Sequence, residues 1–272
     1  MKFDLISDTH WDFYFRADSN MSERKIKLEF DKIFANQGSD VLIHAGDTGH
    51  YPKQDAQLFE ALSKRYKKIL VVGGNHTLYN ISSSQRHVFK TWQHKFQNWK
   101  DIINEVQNVE VLDGNIVEID GIKFGGTMGW YDGSYYWDQD IASPYKRPLD
   151  SIWRSYSNDA HKIPGLGHFL DIWQIEKNKI EKVVDQCDVM ITHVMPTTYD
   201  DFIYPEYQTQ SSNAFYTFNY NEEIKNLKNT KIWCFGHNHK PLDKMLGNTR
   251  LICNPQGYPR ENPYFEIKTI EV

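Results

Sequence analysis

The sequence predicts an α/β fold in which parallel and antiparallel strands are mixed, and three observations carry that expectation. Short apolar runs of strand length recur at residues 2–6, 41–45, 69–72, 189–192 and 232–235. Two stretches with helical spacing separate the first three runs, a β-α-β-α-β order that favours parallel pairing with right-handed crossovers. Asp120-Gly121 then separates two further apolar runs by only two residues, the signature of a tight hairpin and so of an antiparallel pair.

Taken in order, residues 2–6 read as a short buried strand and residues 7–10 as the loop that leaves it. The aromatic residues 11–15 border a cleft or pack beneath it. Ser22 can cap a helix running to about Gln37, with Ile26, Phe30, Ile33 and Phe34 at helical spacing and Gly38 as its stop. After the strand at 41–45, Pro52 suits the first turn of a second helix that turns Leu58, Phe59 and Leu62 inward. The strand at 69–72 follows, then a helix-prone stretch at 82–106, then strands at 109–112, 116–119 and 122–124.

Residues 129–167 are the least regular part, holding Trp130, Tyr131, Tyr135, Tyr136, Trp137, Tyr145, Trp153 and Tyr156 among glycine, proline and aspartate. The stretch is too long for an ordinary connection. Two readings stay open: a cap with short helices of its own that contacts substrate, or a surface excursion that packs its aromatics on the core. A helix is expected at 171–186 with Ile172, Ile175, Ile180, Val183 and Val184 buried. A strand at 189–192, a polar and aromatic loop at 195–218, a short helix at 222–227 and strands at 232–235, 249–253 and 264–272 complete the chain. With no repeat, low-complexity linker or clear boundary, residues 1–272 read as one domain, and 272 residues suffice for a full core.

The bulk composition excludes several classes. The net charge is −5 and no basic tract stands out, so nucleic acid is not indicated. No apolar run is long enough to span a bilayer, and the chain opens on a strand rather than a leader, so a cytoplasmic protein is expected. Cys187, Cys234 and Cys253 are scattered and odd in number, giving neither a metal-binding pair nor a disulfide framework. Cys234 and Cys253 lie in apolar runs and read as buried thiols. Nothing in the sequence indicates an oligomeric state.

The informative feature is what the strands end in. Residues 3–10 read FDLISDTH, 41–47 VLIHAGD, 69–76 ILVVGGNH, 189–193 VMITH and 232–239 IWCFGHNH. Open α/β folds place their chemistry at the carboxyl ends of strands. Asp8 and His10 are one residue apart and can face one side of a loop. Asp47 follows a glycine that permits close backbone approach. Asn75 offers an amide oxygen, a tolerable neutral ligand, on a tight glycine turn. His237 and His239 pair like Asp8 and His10, and His193 stands alone. Each piece by itself is commonplace in solvated loops. Five strand ends carrying DxH, GD, GNH, H and GHxH together make a mixed oxygen and nitrogen donor set suited to transition metals.

This set resembles the calcineurin-like metallophosphoesterase superfamily, with motifs running from position 8 to 239. GTMGW at 126–130 and CNPQGY at 253–258 are also similar to a sparsely characterised subgroup found in bacteria and their phages. The resemblance implies a four-layer α/β/β/α sandwich of two mixed sheets flanked by helices. It implies two divalent ions, manganese foremost, with iron, zinc or nickel as alternatives. Asp8, His10 and His239 would bind one ion, Asn75, His193 and His237 the other, and Asp47 would bridge them.

The implied reaction is hydrolysis of P–O bonds in phosphomonoesters or phosphodiesters by a hydroxide bridging the ions. His76 would contact the phosphate and help protonate the leaving oxygen. His44 reads as a core or supporting histidine and His50 as a candidate substrate contact. Where the family carries an acid after GNH, this chain has Thr77. The aromatic excursion suits stacking on a base, which favours nucleotide-like substrates. The alternative is a metal-poor protein-binding scaffold of the same fold, which predicts missing donors. A metallo-β-lactamase-like hydrolase would need a clustered HxHxDH run, and none is present.

Overall fold

The computed structural model describes residues 1–15, 22–138, 148–208 and 210–272. Tyr145, assigned above to the aromatic excursion, lies outside the described residues. In chain order the strands are β1 (Lys2–Ile6), β2 (Val41–His44), β3 (Lys68–Val71), β4 (Val109–Val111), β5 (Asn115–Ile119), β6 (Ile122–Gly126), β7 (Val189–Ile191), β8 (Ile232–Phe235), β9 (Leu242–Leu246), β10 (Thr249–Cys253) and β11 (Lys268–Glu271). They form two sheets, ordered β11-β1-β2-β3-β4 and β5-β6-β7-β8-β10-β9. Strands β1 to β4 pair in parallel, as do β6, β7, β8 and β10. The edges formed by β11, β5 and β9 are antiparallel.

Both sheets are covered on both faces, which is why the central strands read as unbroken apolar runs. The two-residue period sorts their side chains. Val41 and Ile43 of β2 join Phe3 and Leu5 of β1 in a core between the sheets, against Phe124, Val189 and Ile232. Phe3 meets Phe124 edge-on across that gap, with ring centroids 5.9 Å apart. Leu42 instead faces outward, with Ile26 and Phe30 from helix Glu23–Ile33, Leu58 and Leu62 from helix Pro52–Ser63, and Trp99 and Ile103 from helix Trp92–Asn104. On the far side, helix Phe169–Val183 packs Ile172, Ile180 and Val183 with Met190 and Trp233. The architecture is the four-layer α/β/β/α sandwich.

Several boundaries differ from expectation, each for a local reason. The first helix starts at its Ser22 cap, whose side chain accepts from Lys25 N, but ends at Ile33. The stretch 82–106 divides into Ser83–Val88 and Trp92–Asn104 because Thr91 caps a second start, accepting from His94 N at 3.3 Å. Ile175 was expected inside and is 40% exposed. The helix turns Glu176 inward instead, where it accepts from Thr127 Oγ1 at 2.5 Å, Gly129 N at 2.9 Å and Lys179 Nζ at 2.7 Å. Strand β9 was missed because only its two end residues are buried, the pattern of a solvated edge. The hairpin at Asp120-Gly121 has both residues at positive φ, 51° and 79°, as its turn type requires.

In the irregular segment, short helices span Ser134–Asp138, Leu149–Tyr156 and Asp159–Lys162. Trp130, Tyr131, Tyr135, Tyr136 and Trp153 are buried, whereas Trp137 and Tyr156 are exposed. Among the described residues, no helix is long and apolar enough to cross a membrane.

Candidate metal centre

The carboxyl ends of β1, β2, β3, β7 and β8 meet where the two sheets adjoin. Backbone hydrogen bonds lace their loops: Asp8 N donates to Gly46 O, His10 N to Asp47 O, and Gly236 N to His193 O. The glycines of the motifs allow the loops to touch. A Cβ on Gly236 would lie 2.7 Å from Asp8 Oδ2 and 2.8 Å from the Ala45 carbonyl.

The seven donors read from the strand ends lie together. Asp8, His10 and His239 each offer an atom within 4.8 Å of one another, and Asp47, His193 and His237 form a second such group. Asp47 stands between the groups. Its Oδ2 lies 3.3 Å from His193 Nε2, 3.8 Å from His10 Nε2 and 3.9 Å from His76 Nε2. Asn75 Oδ1 is 3.2 Å from His193 Nε2. Six of the seven donors are buried, and His239 is 16% exposed.

Asp8, His10, Asp47, His237 and His239 all have positive φ, between 41° and 70°. A non-glycine residue held there costs on the order of 1 kcal/mol or more. Five such residues at one locus mark a place where the fold holds side chains against local backbone preference.

The electrostatics follow from burial opposed by neighbours. Burial resists ionisation of Asp47, but His193, His76 and His10 outweigh it and hold its carboxyl well below the usual range. Burial likewise opposes charging His193, yet Asp47 and Asp8 raise it to about 9. For Asp8, burial prevails and lifts the pKa despite His239. His237 falls to about 3 through burial and the charge of His193. Burial also pushes His76 down to about 3.

Two observations test whether these residues fit metal ions. His10 Nε2 and His239 Nε2 face each other at 3.0 Å, two imidazole nitrogens directed at one point. The outer nitrogens of three rings are meanwhile fixed by the protein: His193 Nδ1 on Ala45 O at 2.9 Å, His237 Nε2 on Phe215 O at 3.0 Å and His239 Nδ1 on Glu261 Oε2 at 2.8 Å. Rings anchored on one side and converging on the other, with two carboxylates and an amide oxygen, are the donor chemistry of a divalent-metal site.

Other residues fall into place around the donors. His76 forms a third close group with His10 and Asp47 and is 13% exposed. His44 is a core residue packed on Trp11 and Phe59, with Nε2 3.0 Å from Thr9 Oγ1. His50 is buried, its Nδ1 2.5 Å from Asp12 Oδ2 and its ring 4.7 Å from that of His76. Asn254 secures a turn, donating to Leu5 O and Glu266 O. Tyr258 stacks on His10 with centroids 4.3 Å apart and brings its hydroxyl 3.4 Å from His76 Nε2.

A cavity of about 410 Å³ opens over Asp47, His76 and His237 and continues past Tyr204, Tyr207 and Tyr216. A second hollow of about 690 Å³ reaches His76 and Tyr258 from the side of His50 and Phe13. Glu261 and Asp159 were not found by sequence reasoning. Glu261 serves both His239 and Tyr258 N, and Asp159 accepts from Asn75. Neither carries a motif that could have singled it out.

A two-sheet α/β sandwich with carboxylates and imidazoles nested at its strand ends is the architecture of a metal-dependent hydrolase. Comparison with known families is more particular: the calcineurin-like phosphoesterase family matches residues 1–241, and the chain belongs to it, a metal-dependent phosphoesterase. An uncharacterised protein of Acanthamoeba polyphaga mimivirus is 23% identical over 240 residues, covering 82% of this chain and 81% of its own. Among solved structures, the phosphopantetheinyl hydrolase PptH of Mycobacterium tuberculosis superposes with a TM-score of 0.74 at 17% identity, covering 99% of this chain and 95% of that one.

Proposed function

We propose that the protein hydrolyses phosphate esters at a two-ion centre. Asp8, His10 and His239 hold one divalent ion, Asn75, His193 and His237 hold the other, and Asp47 serves both. The placement of Asp47 carries this reading, since three imidazole nitrogens lie within 3.9 Å of its Oδ2 and a donor group stands on either side. Divalent ions bound there supply Lewis acidity to phosphoryl oxygens and acidify water near neutral pH. Two carboxylates against two dications leave the site positive, which draws in a phosphate.

His76 is the residue we assign to proton transfer. Its ring reaches the cavity, and its Nδ1 is buried without a partner. A phosphate arriving at His76 favours its charged form, so the imidazole can take up a proton and deliver it to the leaving oxygen. A positioned acid contributes ~10²–10⁴-fold. Manganese is the metal we favour. Tyr204, Tyr207 and Tyr216 along the cavity suit stacking on an aromatic group, which supports nucleotide-like esters. The mycobacterial protein of similar fold is named a phosphopantetheinyl hydrolase. Residues 1–272 work in this reading as one cytoplasmic domain.

The test is hydrolysis of p-nitrophenyl phosphate and its bis ester with added manganese, followed by a panel of nucleotides, cyclic nucleotides and phosphopeptides. Manganese-dependent release of nitrophenol is expected from at least one ester. A protein that binds no metal and cleaves neither would instead be a scaffold of the same fold.

A further inference from the structure

An amide can present either of two atoms to a metal, and only its oxygen is a ligand. What selects that atom in Asn75 is visible in its outer contacts. Asn75 Nδ2 donates to Asp159 Oδ1 at 3.0 Å and is 3.0 Å from the Tyr79 hydroxyl. Oδ1 is thereby turned toward His193.

Asp159 is buried and itself held from two further sides. The Tyr79 hydroxyl donates to its Oδ1, and the Tyr131 hydroxyl donates to Oδ2 at 2.7 Å. Trp153 Nε1 donates in turn to Tyr131 at 2.8 Å. Three donors on one buried carboxyl leave it little freedom to rotate, so it acts as a fixed acceptor. Thr77, standing where the family carries an acid, is engaged elsewhere: its Oγ1 accepts from Gly74 N at 3.2 Å.

We propose that Asp159 is the positioning residue for Asn75, fixing its oxygen toward His193, so that Tyr131, Trp153 and Asp159 complete one half of the metal centre. The proposal rests on the two-ion reading above. Asp159 is 84 residues from Asn75 in sequence and is held beside it by Tyr131, which Trp153 braces in turn, and by Tyr79. Its action is confined to one of the two donor groups. The side chains of Asp8, His10 and His239 make their hydrogen bonds elsewhere, to Ser7, His237, Glu261 and one another.

That asymmetry is measurable by calorimetric titration of manganese into metal-free protein. Wild-type protein is expected to bind two ions per chain. Asp159→Ala should leave one affinity within about twofold and weaken the other by ~10–100-fold, the usual effect of removing a partner that orients a ligand. Two ions bound with wild-type affinities, or both weakened alike, would overturn the proposal. Exchanging the partners covers the case in which Asp159→Ala does not fold. Asn75→Asp alone sets two carboxylates against each other, and adding Asp159→Asn restores a donor to the ligand. The double variant should recover at least tenfold in the weakened affinity, and no recovery would also overturn the proposal. Wild-type protein that binds two ions but cleaves no ester would refute the proposed function and leave the role of Asp159 standing. Wild-type protein that binds none would refute both.

Discussion

At the scale of single residues, the centre depends on side chains that have no solvent to fall back on. Asp47 is 1% exposed and faces three imidazoles, so its charge is set by neighbours rather than by water. Asp47→Asn is therefore expected to lower metal content and hydrolysis together, read by elemental analysis beside an activity assay. His76 is different, because it borders the cavity and lies beside the donor groups rather than completing both. His76→Ala should keep both ions while kcat falls by ~10²–10⁴-fold. Loss of metal without a separate kinetic effect would remove its role as acid. Local sequence signalled these residues: a glycine before the donor and a one-residue spacing within DxH and GHxH both survive folding as loop geometry. Tyr258 was visible only as part of a turn motif, and its stack on His10 depends on where Glu261 holds that turn.

At the scale of elements, the edges were harder to foresee than the centre. Strand β9 alternates poorly because both its faces are largely wet, and its antiparallel ladder to β10 is joined by charged contacts. Asp243 accepts from Arg250 Nε and Nη2 of β10, both at 2.8 Å, and from Lys268 Nζ of β11 at 2.6 Å. This contact joins the edges of the two sheets. The hydrogen bonds from Arg250 come first among the causes that hold the Asp243 carboxyl at about 2, below its ordinary 3.8. A depressed carboxyl stabilises the fold above its unfolded pKa and loses that contribution as the pH falls through the folded value. With solvent screening the amount is ~1 kcal/mol or less. Asp243→Asn should thus melt about 2 °C lower than wild type at pH 6, with the gap closing as the pH falls from about 4 to 2. A gap that stays constant across that range would show that the ion pairs contribute nothing. Helix Phe169–Val183 teaches a related lesson: Ile175 fits an apolar stripe by spacing, yet the helix turns Glu176 inward because Thr127, Gly129 and Lys179 await it.

At the scale of the whole molecule, metal held by the donor cluster would couple to stability. Ions that bind the folded chain and not the unfolded one stabilise by mass action, about 2.7 kcal/mol for a site at a hundredfold excess over its Kd. Two such sites should raise the melting temperature by roughly 10 °C in a chain of this size, and chelation should reverse the shift. A calorimetric scan with EDTA and then with manganese checks this, and an unchanged midpoint would count against folded-state binding. The sequence alone determined the α/β class and singled out seven residues that lie together at the strand ends. Strand runs, helical spacing and glycine-flanked donors are all short-range patterns, and a strand end keeps its place whatever lies around it. Tertiary structure decided which residues support those donors. Asp159 reaches Asn75 across 84 residues, and Glu261 reaches His239 across 22. An acid that acts through packing has no spacing of its own to betray it, because its partner is chosen by the way distant loops close on one another.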